Sequence, residues 1–164
     1  MQVNETVGGG AADRSGGGVF EAAAGDGPAA GGEGRAAEVR TAYAGLLQIR
    51  RVSGTGGTPA PWERRQPVRA VALALEAAGV PPSAVDGDGA RTATGYRVLA
   101  ADRDGAVRVE WAGPAGGGAA REEEKSLREC GRILGELGWE ALLYRGPRRR
   151  WFLETEALPG PGPG

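Results

Sequence analysis

The sequence predicts a two-layer α+β domain of order α-β-β-α-β-β, with a four-stranded antiparallel sheet carrying its helices on one face, behind a disordered Gly/Ala-rich arm. Three observations predict it. Leu127, Cys130, Leu134 and Leu137 recur at helical spacing, with Ile133 beside them, inside the otherwise charged stretch from Arg121, and one apolar stripe of that kind needs a sheet to lie on. Two stretches, Tyr96 to Trp111 and Trp139 to Glu154, read as strand, turn, strand. The first 34 residues hold Gly-Gly-Gly and Ala-Ala blocks with too few apolar side chains to offset the entropy of ordering them.

This divides the chain into an arm at 1–34, a helix plus flexible joint at 35–64, the α+β domain at 65–157 and a disordered Pro/Gly tail at 158–164. In the second segment Val39, Tyr43 and Leu46 share a helical face between Arg35 and Arg51, Gly54 follows as a stop, and Ser53 to Pro59 reads as a joint. Pro67 opens the next helix, Val68, Val71, Ala72 and Leu75 line one face, and Gly79 with Pro81-Pro82 ends it. Asp86-Gly87-Asp88-Gly89 is turn chemistry, and 113–120 is a Gly-rich linker.

In the first hairpin the alternation requires a loop of even length. Asp102 to Gly105 as that loop sets Ala100 opposite Val107, Val98 opposite Val109 and Tyr96 opposite Trp111. After Gly138, placed to end the charged helix in the left-handed conformation, the second hairpin favours an odd loop. Gly146-Pro147-Arg148 as that loop sets Leu143 opposite Trp151, Leu142 opposite Phe152 and Ala141 opposite Leu153, so both faces carry apolar pairs.

Composition narrows the chemistry. The 164 residues contain no histidine and one cysteine, with a net charge of −1, which removes Ser-His-Asp, Cys-His and His-ligated metal sites and leaves no global field of either sign. Cys130 falls on the helix stripe, as a packed thiol in a reducing, cytoplasmic setting would. Glu122-Glu123-Glu124 reads as a solvated, dipole-complementing helix start. Asp86-x-Asp88-Gly89 and Asp102-x-Asp104-Gly105 each resemble a scrap of a calcium loop, but the second would put Ala100 at the first ligand position and Trp111 at the twelfth, and turn chemistry is the better reading. Lys125, the sole lysine, has no glycine loop before it for a phosphate. No cofactor, metal site or catalytic set is expected, and no basic leader or membrane-spanning run is visible; the reading is of a non-enzyme.

Two candidate surfaces remain. Arg145, Arg148, Arg149 and Arg150 crowd one hairpin tip between Tyr144 and Trp151, an arrangement that can grip phosphate and stack on bases. Against it, arginine is abundant along the whole chain, as the codon usage of a GC-rich genome makes it. Leu142 and Phe152 form the second surface, on a sheet face that two layers leave uncovered. Either the 35–51 helix lies over them as a lid or a second copy does. The leading expectation is an interaction module that associates with itself or a protein partner, and the alternative is a nucleic-acid-binding accessory.

Leu137-Gly138-Trp139 followed by Tyr144-Arg145-Gly146-Pro147-Arg148 resembles small uncharacterised proteins of high-GC actinobacteria and their phages and mobile elements. In these a charged helix runs through Leu-Gly-Trp into an arginine-rich strand pair. The resemblance covers about the last 70 of the 164 residues and implies no particular activity.

Overall fold

A computed structural model describes residues 20–161. Its elements are α1 (Arg35–Ser53), α2 (Pro61–Arg65), α3 (Pro67–Ala77), β1 (Ala84–Val85), β2 (Arg91–Ala93), β3 (Gly95–Ala100), β4 (Val107–Ala112), α4 (Ala119–Glu136), β5 (Trp139–Arg145) and β6 (Trp151–Ala157). The sheet is antiparallel throughout in the order β3-β4-β6-β5, and β1 and β2 make a separate two-stranded ribbon. The predicted two-layer α+β architecture is therefore observed. The two hairpins meet through β4 and β6, which leaves β3 and β5 as the outer strands.

The inner face of the sheet carries Tyr96, Val98, Val107, Val109, Trp111 and Leu153, and α3 and α4 close over it with Val71, Leu75, Leu127, Cys130 and Leu134. Gly131 on α4 faces the sheet: a Cβ there would lie 3.6 Å from Leu153 and 3.8 Å from Ala141. The α3 helix is buried on more than one side because α1 packs on its back through Val39 and Leu46 against Leu73. The alternative in which α1 covers Leu142 and Phe152 is thereby corrected: α1 lies on the helical layer, where Leu73 and Ala77 supply an apolar surface.

The first hairpin has the predicted register, Ala100 opposite Val107, Val98 opposite Val109 and Tyr96 opposite Trp111. The second does not. Its pairs are Arg145 with Trp151, Tyr144 with Phe152, Leu143 with Leu153 and Leu142 with Glu154, two residues from the predicted pairs. The odd loop is five residues, 146–150, built round a 3-10 turn at Pro147–Arg149 and closed by Gly146 N–H donating to Arg150 C=O at 2.7 Å. Parity separates odd loops from even ones but not three residues from five. The faces survive the shift: Leu143 and Leu153 point into the core, and Leu142, Tyr144 and Phe152 point away from it.

Three other segments differ from expectation because polar contacts hold them. Of the predicted arm, 1–19 lies outside the described residues, but 22–27 forms a strap along β3. Val98 N–H donates to Ala24 C=O at 2.7 Å, the Tyr96 hydroxyl donates to Ala23 C=O at 2.8 Å, and Val85 N–H donates to Gly27 C=O at 2.9 Å. Gly25 sits at φ +97°, and a Cβ there would stand 2.3 Å from Tyr96 O, so a side chain at that position excludes the strap. The flexible joint is packed as well: Ala60 is fully buried, and Gly138, at φ +88°, leaves room for no Cβ against Gly57 O. Beside it Arg50 donates two 2.8 Å hydrogen bonds to buried Glu63, whose Oε2 also accepts from Ala60 N–H, locking α1 to α2. In the tail, Leu158 C=O accepts from Arg64 at 2.6 Å, while 162–164 lies outside the described residues.

Candidate functional site

The four arginines of the tip are not equivalent. Arg150 is committed to the fold: it donates at 2.6 Å to Glu123 and at 3.1 Å to Trp111 C=O, and Trp151 N–H donates to the other oxygen of Glu123 at 3.0 Å. The Glu123 side chain is 3% exposed. This corrects the reading of Glu123 as part of a solvated helix start, since it clamps the end of the second hairpin to α4; Glu122 and Glu124 are exposed as expected, with Glu122 accepting from Trp111 Nε1 at 3.2 Å. The clamp joins residues far apart in sequence, so helical spacing carries no trace of it.

Arg145 lies over the Trp151 ring at 4.9 Å, leaving Arg148 and Arg149 exposed and, among the described residues, without a side-chain partner. Their backbones are unusual. Both are left-handed, at φ 60° and 62°, whereas each of the other positive-φ residues described is a glycine. A non-glycine residue there costs about 1–2 kcal/mol. Side chains are thus presented at the tip at a local energetic cost.

The outer face divides along its width. On β3, β4 and β6 it is a lattice of ion pairs, Arg97 with Glu110 at 2.9 Å, Arg108 with Glu110 at 2.9 Å and Arg103 with Glu156 at 3.0 Å. Toward β5 it turns apolar: Tyr144 stacks on Phe152 with centroids 5.5 Å apart, and Arg108 covers the other side of the Phe152 ring at 3.7 Å. Leu142 and Tyr144 remain 48% and 41% exposed. The predicted pair Leu142 and Phe152 therefore does share a face, but Leu142 stands opposite Glu154 and the direct aromatic partner of Phe152 is Tyr144.

The backbone at the two outer strands differs more sharply. Along β3, Val98 N–H reaches the strap, Tyr96 N–H donates to Pro81 C=O, and Ser83 N–H donates to Tyr96 C=O, each at 2.7–2.9 Å. That edge is covered. Along β5, Leu158 N–H donates to Gly138 C=O, and Gly146 N–H donates to Arg150 C=O. These fix the even-numbered residues as the ones bonded to β6. The peptide groups of Trp139, Ala141, Leu143 and Arg145 point outward, and no described residue meets them.

Chemically reactive groups are held within the fold. Burial, aided by the charge of Glu129, pushes the Cys130 thiol up to about 12, a packed side chain rather than a nucleophile. Asp86 Oδ1 accepts from Asp88 N–H and Ala90 N–H at 2.8 and 3.0 Å, the turn chemistry predicted for it. Among the described residues no group of three or more acidic or cysteine side chains is placed to hold a metal ion, and no helix is long and apolar enough to cross a membrane. A hollow at the start of α4, lined by Gly118, Arg121, Glu122, Lys125 and Ser126, opens to solvent. Comparison of the chain with protein-family models, curated proteins and solved structures finds no match.

Proposed function

We propose that this chain is a non-catalytic interaction module whose binding element is the open edge of β5. The observation that carries the reading is the contrast between the outer strands. An exposed row of peptide groups is a template for another strand, and folds ordinarily blunt it with lysine, proline or a covering segment. Here β3 has a covering segment, and among the described residues β5 has none of the three. Strand addition draws affinity from the main chain and specificity from alternate side chains, and Leu142 and Tyr144 supply the latter on the outer face. The test is selection of binders from displayed random peptides. Extended binders that slow amide exchange at Ala141 and Leu143 and fail against Ala141→Pro support the reading. Binders that protect other segments and ignore that substitution contradict it. Proline at 141 deletes only an outward N–H, a placement strands tolerate at an edge.

A second reading rests on the left-handed arginines. Arg148 and Arg149, with Arg145 on its tryptophan, form a cationic ribbon tip suited to phosphate, which would make the protein a nucleic-acid-binding accessory. Retardation of single-stranded or duplex DNA at low salt that falls steeply as salt rises, and is lost in Arg148→Gly/Arg149→Gly, supports it. No retardation at low salt removes it.

A further inference from the structure

The reading of β5 as a binding edge leaves its occupant open, and the geometry points to a second copy of this chain: we propose that β5 pairs antiparallel with β5 of another copy, making one continuous eight-stranded sheet. The inference rests on the proposed function and names its partner.

Closure argues first for a like partner. Among the described residues each copy offers one uncovered edge, since the strap and Pro81 to Ser83 occupy the other. A two-fold pairing through the open edges consumes both of them and stops at two copies, whereas a pairing that used both edges would grow without limit. An isologous contact is the arrangement a sheet with one free edge can complete by itself.

The register follows from the hydrogen bonds. A two-fold axis perpendicular to the sheet keeps residues of one face together, so partners across it sum to an even number. The outward peptide groups belong to the odd residues. Centring the axis on Leu142, the middle of the seven-residue strand, sets Trp139 opposite Arg145 and Ala141 opposite Leu143 of the second copy, each as a hydrogen-bonded pair. Every outward peptide group is then used. Leu142 falls opposite Leu142 of the second copy as a non-hydrogen-bonded pair, the type in which side chains approach most closely. Glu140 falls opposite the Tyr144 hydroxyl. No like charges face each other, and the most exposed leucine of the sheet is covered by its own copy.

Leu142→Cys reads out both pairing and register. Cα atoms of a non-hydrogen-bonded pair stand about 4.5 Å apart, within the span of a disulfide, and the native Cys130 is buried and unreactive. The full chain is expected to sediment as a dimer at tens of micromolar, and Leu142→Cys to run as a covalent dimer on a non-reducing gel after mild oxidation. Tyr144→Cys alone is expected to stay monomeric on the same gel, and to cross-link when mixed with Glu140→Cys. Leu142→Lys and Ala141→Pro are expected to be folded monomers by circular dichroism and sedimentation. A full chain that is monomeric at hundreds of micromolar overturns the inference, as does a dimer that survives both Leu142→Lys and Ala141→Pro, or equal cross-linking at 142 and 144. If the chain is monomeric but selected peptides still protect Ala141 and Leu143, the second copy is excluded and the binding edge stands. If neither occurs, both fall.

Discussion

The two outer strands of the sheet face the same physical problem and meet it differently. On β3 the strap supplies carbonyls to an edge whose inward residues, Tyr96 and Val98, are among the most buried in the protein. It is held by charge as well: Glu76 accepts from Ala23 N–H at 2.9 Å and from Arg35 at 2.7 Å, and Asp26 lies 2.5 Å from Arg91 and 2.9 Å from Arg97. On β5, from Trp139 to the tip, no described segment bonds to the outward peptide groups. The contrast supports the proposal that β5 is a binding edge, since an uncovered row of peptide groups is a template for another strand.

The largest effect is expected where the covered edge is broken. Gly25→Val combines a left-handed backbone with an overlap against Tyr96 O, so it should cost about 2–5 kcal/mol by denaturant unfolding and add light scattering as a second edge opens. Leu134→Ala should cost about the same, 2–5 kcal/mol, by emptying space in the core. Leu142→Ala, on the open strand, should change monomer stability by no more than about 0.5 kcal/mol, and similar losses at 134 and 142 would erase the distinction between the two surfaces.

Smaller effects sharpen it. Glu123→Ala should cost about 1–3 kcal/mol, because it leaves Trp151 N–H and Arg150 without their acceptor, and should broaden amide resonances at the tip before those of β3. Acid should release the strap. Burial works against ionised Glu76, but the Arg35 guanidinium and Ala23 N–H outweigh it and hold the carboxyl below its ordinary 4.5; burial likewise opposes ionised Asp26, and Arg97 and Arg91 hold it below its ordinary 3.8. Depressed carboxyls contribute their stability in full above the ordinary values and lose it as pH falls through the depressed ones. Protection of the Val98 amide relative to its intrinsic exchange rate should therefore fall, and scattering rise, only below about pH 4. Arg148→Gly should stabilise the tip by about 1 kcal/mol by relieving its left-handed backbone.

Periodicity carried most of the architecture. The α4 stripe, the α3 face and the first hairpin's register follow from apolar spacing, and each packs as that spacing requires. What spacing could not carry was held by polar groups distant in sequence. The strap looks too poor in apolar residues to order, and it orders through backbone bonds to β3 and through Glu76, more than 50 positions away in the chain. The buried pair of Arg50 and Glu63 turned a presumed joint into part of the core, and Glu123 with Arg150 accompanied the five-residue loop where parity also admitted three. Of the candidate surfaces, the outward face of Leu142 and Phe152 was legible from strand alternation, and the division of the arginines into held and free was not.

The central claim, one edge closed and one available, is tested most directly by amide hydrogen exchange at both edges in a single sample, the Leu142→Lys variant. The account predicts slow exchange at Tyr96 and Val98 and fast exchange at Ala141 and Leu143 in that monomer, with Ala141 and Leu143 becoming slow in the concentrated wild-type chain. Slow exchange at Ala141 and Leu143 in the variant, or fast exchange at Tyr96 and Val98, would contradict it.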